Sequence, residues 1–348
     1  VKWTFSRVDL DRNIKYLYVK ITTMQVTIVV PKGEVNLSSI TGSFEILTRA
    51  NIIWQKMGHK PMMEVSIAGF VPEMKLDAGF FSVYPININD LDRTDLIIIP
   101  SVSYDNELIK ENEALINWIG EQHSRGTEIA SMCSGVFLLA ATGLLDGRNC
   151  STHWNMSGDF KRLFPNINLQ IDKLITAEKG IYTNGGGYSF LNLMLFLVEK
   201  YFDREIAIIC SKIFQIDIER TSQSPFHIFK TQKNHGDELI CKAQTYIEEN
   251  LSGKISFEDL ASKLAISRRS FDRRFIKAVG NTPVGYLQRV KVEVAKSTLE
   301  KGKKSIYEVM NDVGYSDDKA FREVFKKITG LSPLDYKARY IKEPVIVI

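Results

Sequence analysis

The hydrophobic positions of this chain keep one rhythm over the first two thirds and another over the last. Uninterrupted apolar runs, VTIVV at 26–30 and LIIIP at 96–100, read as strands buried on both faces. MEVSIAG at 63–69, the stretch 80–84, EIASM at 128–132 and the stretch 180–183 read as further strands. Between them the helical period takes over. It runs through 36–57, with Ile40, Phe44, Leu47 and Ile52 on one side, through 107–124, through 135–142 up to Gly143, and again up to Tyr201. Strands alternating with helices predict an α/β unit on a parallel sheet with helices on both sides. Residues 214–236 are polar, contain Pro225, hold no period and so predict an interdomain linker. After Asp237 only the helical period remains, predicting an all-α unit over 237–342 behind an α/β unit over 24–213. Residues 1–23 read as an uncertain leader, with Met24 directly before the first strand-like run.

The helical part is written twice. FDRRFIKAVGNTPVGY begins at Phe271 and FREVFKKITGLSPLDY at Phe321, an offset of 50 that also pairs Glu258 with Glu308 upstream. In the first copy Ser256 can cap a helix with Asp259 at its third position, Ala265-Ile266 makes a turn, and Ser267 can cap a second helix. Phe271, Phe275 and Val279 recur at spacing four and predict the buried face of that second helix. Arg269, Asp272 and Arg273 then face outward near its start, where a recognition helix meets base edges, with Arg274 and Lys277 placed for phosphates. In the second copy Phe321, Phe325 and Ile328 point inward and Asp318, Lys319 and Arg322 outward. Asp317 and Asp318 would repel phosphate, so the second helix is expected to read DNA more weakly.

Charge agrees with this division. The net charge of +4 conceals 21 Lys and Arg against 16 Asp and Glu over 237–348, and 24 against 25 in the remainder. The basic excess sits in the helical part, which suits a polyanionic partner. Cys133, Cys150, Cys210 and Cys241 have no metal-ligand spacing and suit a reducing compartment, and no apolar run is long enough to span a bilayer. His59, His123, His227 and His235 stand apart without ligand spacing, so no metal or cofactor is expected. The turn Ala130-Ser131-Met132-Cys133-Ser134-Gly135 leads from a strand into a helix and has the form of a nucleophile elbow. A cysteine there lies at the C-terminal sheet edge, where open α/β sheets bind ligands, and the helix dipole would favour its thiolate. Gly185-Gly186-Gly187 predicts a tight turn where a helix packs close to the sheet, its N–H groups near that pocket. Trp154 suits either a pocket wall or packing beneath the elbow.

The repeated G-x-x-P-x-x-Y ending, Gly280–Tyr286 and Gly330–Tyr336, resembles the signature of the AraC/XylS family of transcription regulators. The resemblance implies two helix-turn-helix units joined by the helix Pro283–Glu300 and reading adjacent major-groove segments. Residues 24–212 resemble the PfpI/ThiJ branch of the class I glutamine amidotransferase-like fold, a flavodoxin-like parallel-sheet sandwich. The stretch CSGVFLLAATGLLDGRNCSTHW at 133–154 resembles GlxA-type regulators, which fuse such a domain to an AraC-type reader. Carried over by motif, Cys133 is the elbow residue beside Ser134, Glu45 is the carboxylate that approaches it, and His153 lies in the Thr-His-Trp segment. The enzymes of that fold carry a glycine-rich oxyanion turn after the middle strand, whereas Pro100–Tyr104 has no glycine. The implied protein is a cytoplasmic, homodimeric, non-enzymatic regulator that binds double-stranded promoter DNA and a small-molecule effector, with RNA polymerase as a further partner and no membrane. Two readings of Cys133 stay open beside it: an amidohydrolase, peptidase or glyoxalase-like nucleophile, and a thiol redox sensor.

Overall fold

The computed structural model describes residues 23–341 apart from 106, 232 and 234, so most of the expected leader and residue 342 lie outside the described residues. The strands are β1 (Met24–Val29), β2 (Met63–Gly69), β3 (Met74–Leu76), β4 (Phe81–Val83), β5 (Ile86–Asn87), β6 (Leu96–Ile99), β7 (Glu128–Met132), β8 (Asn149–Cys150), β9 (Asn168–Leu169), β10 (Ile175–Glu178) and β11 (Ile181–Asn184). Seven of them form one sheet in the order β10-β11-β7-β6-β1-β2-β5. Every neighbouring pair is parallel except β10 and β11. All four residues of β6 are buried, as its unbroken apolar run requires.

The helices of the α/β part are α1 (Leu37–Lys56), α2 (Leu108–Glu111), α3 (Glu113–Ser124), α4 (Val136–Ala141), α5 (Ser157–Leu163), α6 (Phe190–Tyr201) and α7 (Arg204–Ile213). Six of them pack in two groups, α1 with α6 and α7, and α2 and α3 with α4. The expected helix 107–124 is interrupted at Asn112. Its buried amide accepts from the N–H of Lys32 and donates to the Lys32 carbonyl, tying the loop after β1 to the break. The buried face of α1 carries Ile40, Ile46 and Leu47, while Phe44 and Ile52 are exposed, so its stripe is rotated from the expected one.

The helical part contains α8 (Glu238–Glu249), α9 (Phe257–Lys263), α10 (Arg268–Val279), α11 (Pro283–Glu300), α12 (Ile306–Asp312), α13 (Asp318–Thr329) and α14 (Pro333–Tyr340). It has two cores. Tyr286 and Val290 of α11 join Phe257, Phe271 and Phe275 in one, and Val292, Ala295 and Leu299 of the same helix join Phe321, Phe325 and Tyr336 in the other. The duplication extends to geometry. Phe275 and Tyr286 meet edge-on at 5.5 Å, as do Phe325 and Tyr336, and each tyrosine hydroxyl donates at 2.6 Å to a glutamate, Glu248 or Glu300.

Upstream of the turns the register changes. The N-caps Ser256 and Ser305, and the third-position residues Asp259 and Glu308 that donate N–H groups to them, stand 49 apart. Glu308 therefore matches Asp259 rather than Glu258. The turn after α12 is one residue longer than the turn after α9.

Residues 214–236 are no free linker. Ser222 pairs with Lys173 beside β10, and residues 224–226 form a 3-10 turn. Gln223, 2% exposed, donates to the carbonyls of Thr152 (2.8 Å) and Ile171 (2.7 Å) in the α/β part. On the other side, the carbonyl of His227 accepts from Lys296 of α11, the N–H of Phe229 donates to Glu293, and the Pro225 carbonyl accepts from Tyr340 of α14. The segment is a strap bonded to both parts.

Candidate functional site

Two regions carry the candidate chemistry. The first is the outer surface of α10 and α13. Ser267 caps α10 by accepting from the N–H of Ser270, Gly280 ends it in the left-handed region, and Phe271, Phe275 and Val279 are buried as the spacing predicts. That burial leaves Arg269, Arg273 and Lys277, four residues apart, as one exposed stripe with no ion-pair partner among the described residues. The other two candidates on α10 are occupied. The single Nε–H of Arg268 is shared between the two oxygens of Asp272 at 2.9 and 3.0 Å, and Arg274 pairs with Asp237, the cap of α8, whose carboxyl it holds below the usual range.

On α13, Phe321 and Phe325 are buried, but Thr329 rather than Ile328 fills the third core position, its hydroxyl bonded to the Phe325 carbonyl. Arg322 is paired with Asp318 at 2.7 Å. Lys319 is exposed and has no ion-pair partner among the described residues, and the stripe matching that of α10 reads Lys319, Glu323, Lys327.

The second region is the C-terminal edge of β1, β6 and β7. Cys133 follows β7 with φ 51°, a left-handed conformation that costs a side-chain-bearing residue about 1–2 kcal/mol. Gly135 permits the turn, since a Cβ there would lie 2.4 Å from the Pro100 carbonyl oxygen. Ser134 is buried. Its Oγ sits 3.1 Å from Ser101 Oγ and accepts from the N–H of Val102, while the N–H of Ser101 donates to Ser39 Oγ and that of Ser103 to the Glu34 carbonyl. The first three amides after Pro100 are thus taken up within the protein and do not point to an oxyanion.

Glu45 is exposed and makes no hydrogen bond to Cys133 among the described residues. Ser43 is the α1 residue that faces β7, with its Oγ 3.8 Å from Met132 Sδ, and Glu45, two residues on, is exposed on the other side of the helix. His153 does lie in this neighbourhood. Its neighbour Thr152 donates to the Cys133 carbonyl at 2.8 Å, and its ring lies against Gly186, where a Cβ would sit 1.5 Å from Cδ2. Nδ1 of His153 accepts from the N–H of Asn155 and burial lowers its pKa, so the ring is neutral with its proton on Nε2. Such a ring offers a ligand a donor; it has no free lone pair for a thiol proton.

Several residues here carried no signal in the pattern. Ser39 and Ser101 are small polar residues with no period of their own, and Gln223 comes from the supposed linker. The Gly185–Gly187 turn is now explained: a Cβ on Gly185 would meet Gln223, and one on Gly186 would meet His153. Trp154 turns toward the strap, its ring 5.3 Å from His227. Cys150 and Cys210 are buried, with thiols pushed up to about 12 and about 11 by desolvation, and no group of side chains able to hold a metal occurs among the described residues. No helix among them is long and apolar enough to cross a membrane.

Known proteins resemble the chain in the same two parts. Residues 24–200 match the model of the DJ-1/PfpI family, and residues 260–339 match a helix-turn-helix domain. The HTH-type transcriptional regulator GbdR of Pseudomonas aeruginosa is 25% identical over 258 residues, 72% of this chain and 68% of that one. The HTH-type transcriptional regulator GlxA of Rhizobium meliloti is 26% identical over 219 residues, 62% of this chain and 66% of that one. Among solved structures, a putative transcriptional regulator protein from Vibrio parahaemolyticus superposes with a TM-score of 0.50 at 27% identity, covering 55% of this chain and 99% of that one.

Proposed function

The chain belongs to the DJ-1/PfpI family, and on that premise we propose that it is a transcriptional regulator whose α/β part senses a small metabolite while its AraC-type helix-turn-helix part binds promoter DNA. The observation that carries the DNA half is the unpaired cationic stripe of Arg269, Arg273 and Lys277 on a helix whose opposite face is locked into a core. Arginine at such a position can bond a guanine edge bidentately. α11, 18 residues and so about 27 Å long, joins the two units over a span comparable with the roughly 34 Å of one DNA turn.

The sensor reading is supported against the enzymatic one by three features. The amides of Ser101, Val102 and Ser103 are taken up by other groups of the protein, Glu45 faces solvent, and His153 is held in the tautomer that donates. A ligand at this sheet edge would instead meet Cys133, His153 and Ser101, all of them partly exposed. Its effect has a short route outward. Thr152 holds the Cys133 carbonyl with its hydroxyl and receives Gln223 on its own carbonyl, and the strap then reaches α11 through Lys296 and Glu293. A homodimer in the cytoplasm that contacts RNA polymerase completes the reading.

Fluorescence anisotropy on promoter fragments over a series of salt concentrations tests it. Binding should weaken linearly on a log–log salt plot, and Arg269→Ala should cost about tenfold or more on the specific site. Equal affinity of Arg269→Ala and the unaltered protein for that site would refute the assigned face. For the sensor, a thermal-shift screen of the full chain should find a metabolite that raises the melting temperature and loses that effect in Cys133→Ala, with no turnover of it in either protein.

A further inference from the structure

A cavity of about 310 Å³ lies between β10, α6 and residues 218–221, where the strap begins. Neither Cys133 nor His153 lines it. Its apolar wall is made by Leu174, Leu195, Phe196 and Ile218, and its charged groups are Lys173, Glu199, Arg204 and Arg220. Arg204 is bonded by Glu199 at 2.7 Å and Glu219 at 3.3 Å, which leaves Lys173 and Arg220 as the cavity's cations without an ion pair among the described residues.

Arg220 is the anomaly. It makes no hydrogen bond or ion pair to any described residue, and its Nε is fully covered without a partner. Its guanidinium stacks 4.4 Å from the Phe226 ring, and Arg339 of α14 lies 5.5 Å from the same ring. Two like charges share one aromatic ring, and Asp217 attracts Arg220 without bonding it. A half-buried guanidinium lacking an acceptor is costly, its planar fork matches the two oxygens of a carboxylate, and the apolar wall beside it suits a hydrocarbon chain.

We propose that this cavity binds a short aliphatic monocarboxylate, with the carboxylate on Arg220 and Lys173 and the hydrocarbon chain against Leu174, Leu195, Phe196 and Ile218. The site is separate from the cleft at Cys133 and does not depend on what that cleft binds. An anion on Arg220 also offsets its repulsion of Arg339, so occupancy favours the arrangement in which α14 rests on the strap.

Hexanoate serves as the probe, titrated into the full chain by calorimetry at constant ionic strength, beside acetate and hexanol. The expected result is saturable one-to-one binding of hexanoate, at least tenfold tighter than either control, because one lacks the chain and the other the charge. Arg220→Gln should weaken it at least tenfold. Arg220→Lys keeps the stem and the charge but loses the fork, and should weaken it at least threefold, which preserves the test if the glutamine variant does not fold. Failure of hexanoate to bind overturns the proposal, as does equal binding of hexanol or unchanged affinity in both Arg220 variants. Loss of binding in Cys133→Ser alone would move the carboxylate to the other cleft and equally overturn it.

Discussion

The two helix-turn-helix units share an interior and differ on every outward face. Inside, the phenylalanine pairs, the edge-on tyrosines and the tyrosine–glutamate bonds repeat within tenths of an ångström. Outside, even the conserved-looking ion pair is reversed: Arg268 precedes Asp272 in the first unit, whereas Asp318 precedes Arg322 in the second. The middle of the reading stripe changes from Arg273 to Glu323. The surroundings differ too. Both units meet the strap but at different places, the second through Gly330 beside Ser224 and Pro225 and Tyr340 bonded to Pro225, the first through Phe229 against Tyr286. Packing tolerates little variation once a core is filled. Surface charge is free to diverge, so one copy carries a basic stripe and the other a mixed one.

The largest expected effects test the shared interior. Phe275→Ala and Phe325→Ala should each cost about 3–5 kcal/mol in chemical denaturation, and nearly the same amount as each other. A difference of more than about half would show that the cores are not equivalent. Next come the turns. Gly314 sits at φ 71° with the carbonyl oxygens of Leu251 and Ser252 2.7 Å from where a Cβ would be, so Gly314→Ala should lose about 2 kcal/mol or more. Ala265 occupies the matching left-handed position at φ 56° in the shorter turn, and Ala265→Gly should gain up to about 1 kcal/mol. Opposite signs in the same denaturation assay would sharpen the contrast. The stripes predict a second pair of opposites. Arg273→Ala should weaken specific DNA binding by about 1–3 kcal/mol, while Glu323→Gln should tighten it severalfold, and a loss in both would break the assignment of a mixed stripe to the second unit.

The smallest effect concerns docking. Burial, Arg289 and Lys296 push His227 down to about 4, with Asp172 opposing and His153 adding to the shift. Unfolded, it titrates near its ordinary value of about 6.5, so the unfolded chain binds the extra proton between those values. The stabilisation from its neutral form is complete above about pH 6.5 and is lost progressively as pH falls toward 4. The melting temperature should fall by about a few degrees between pH 6.5 and 5, and less in His227→Gln.

The sequence made the periodic parts of this molecule legible and left the aperiodic ones dark. β6, β7, α10 and the duplicated phenylalanines were readable because burial on one or two faces writes itself as a period. β10 and α7 escaped: the first is a short, half-buried antiparallel edge strand, the second a continuation past a helix already counted. The strap was read as a linker because Gln223 is buried through bonds to backbone carbonyls, which require no hydrophobic neighbours. The motif points Glu45 at Cys133, whereas the α1 residue bonded to β7 is Ser43, on Met132, and Glu45 is exposed. On α10 and α13 the outward face was legible but its pairing only half so. Arg268–Asp272 and Asp318–Arg322 are visible as neighbours four apart, whereas Arg274–Asp237 spans 37 residues and needs the fold.

The strap also bears on how regulators of this build can be recombined. Gln223 fits a socket shaped by Gly185 and by the carbonyls around Thr152, while His227 and Phe229, a few residues later, are held by side chains of α11. A chimera that joins this sensor to a foreign reader at the boundary before Asp237 keeps the plug but leaves its far end without a mate. Such a hybrid would fold in both halves and answer to nothing, unless the graft also brought Glu293 and Lys296.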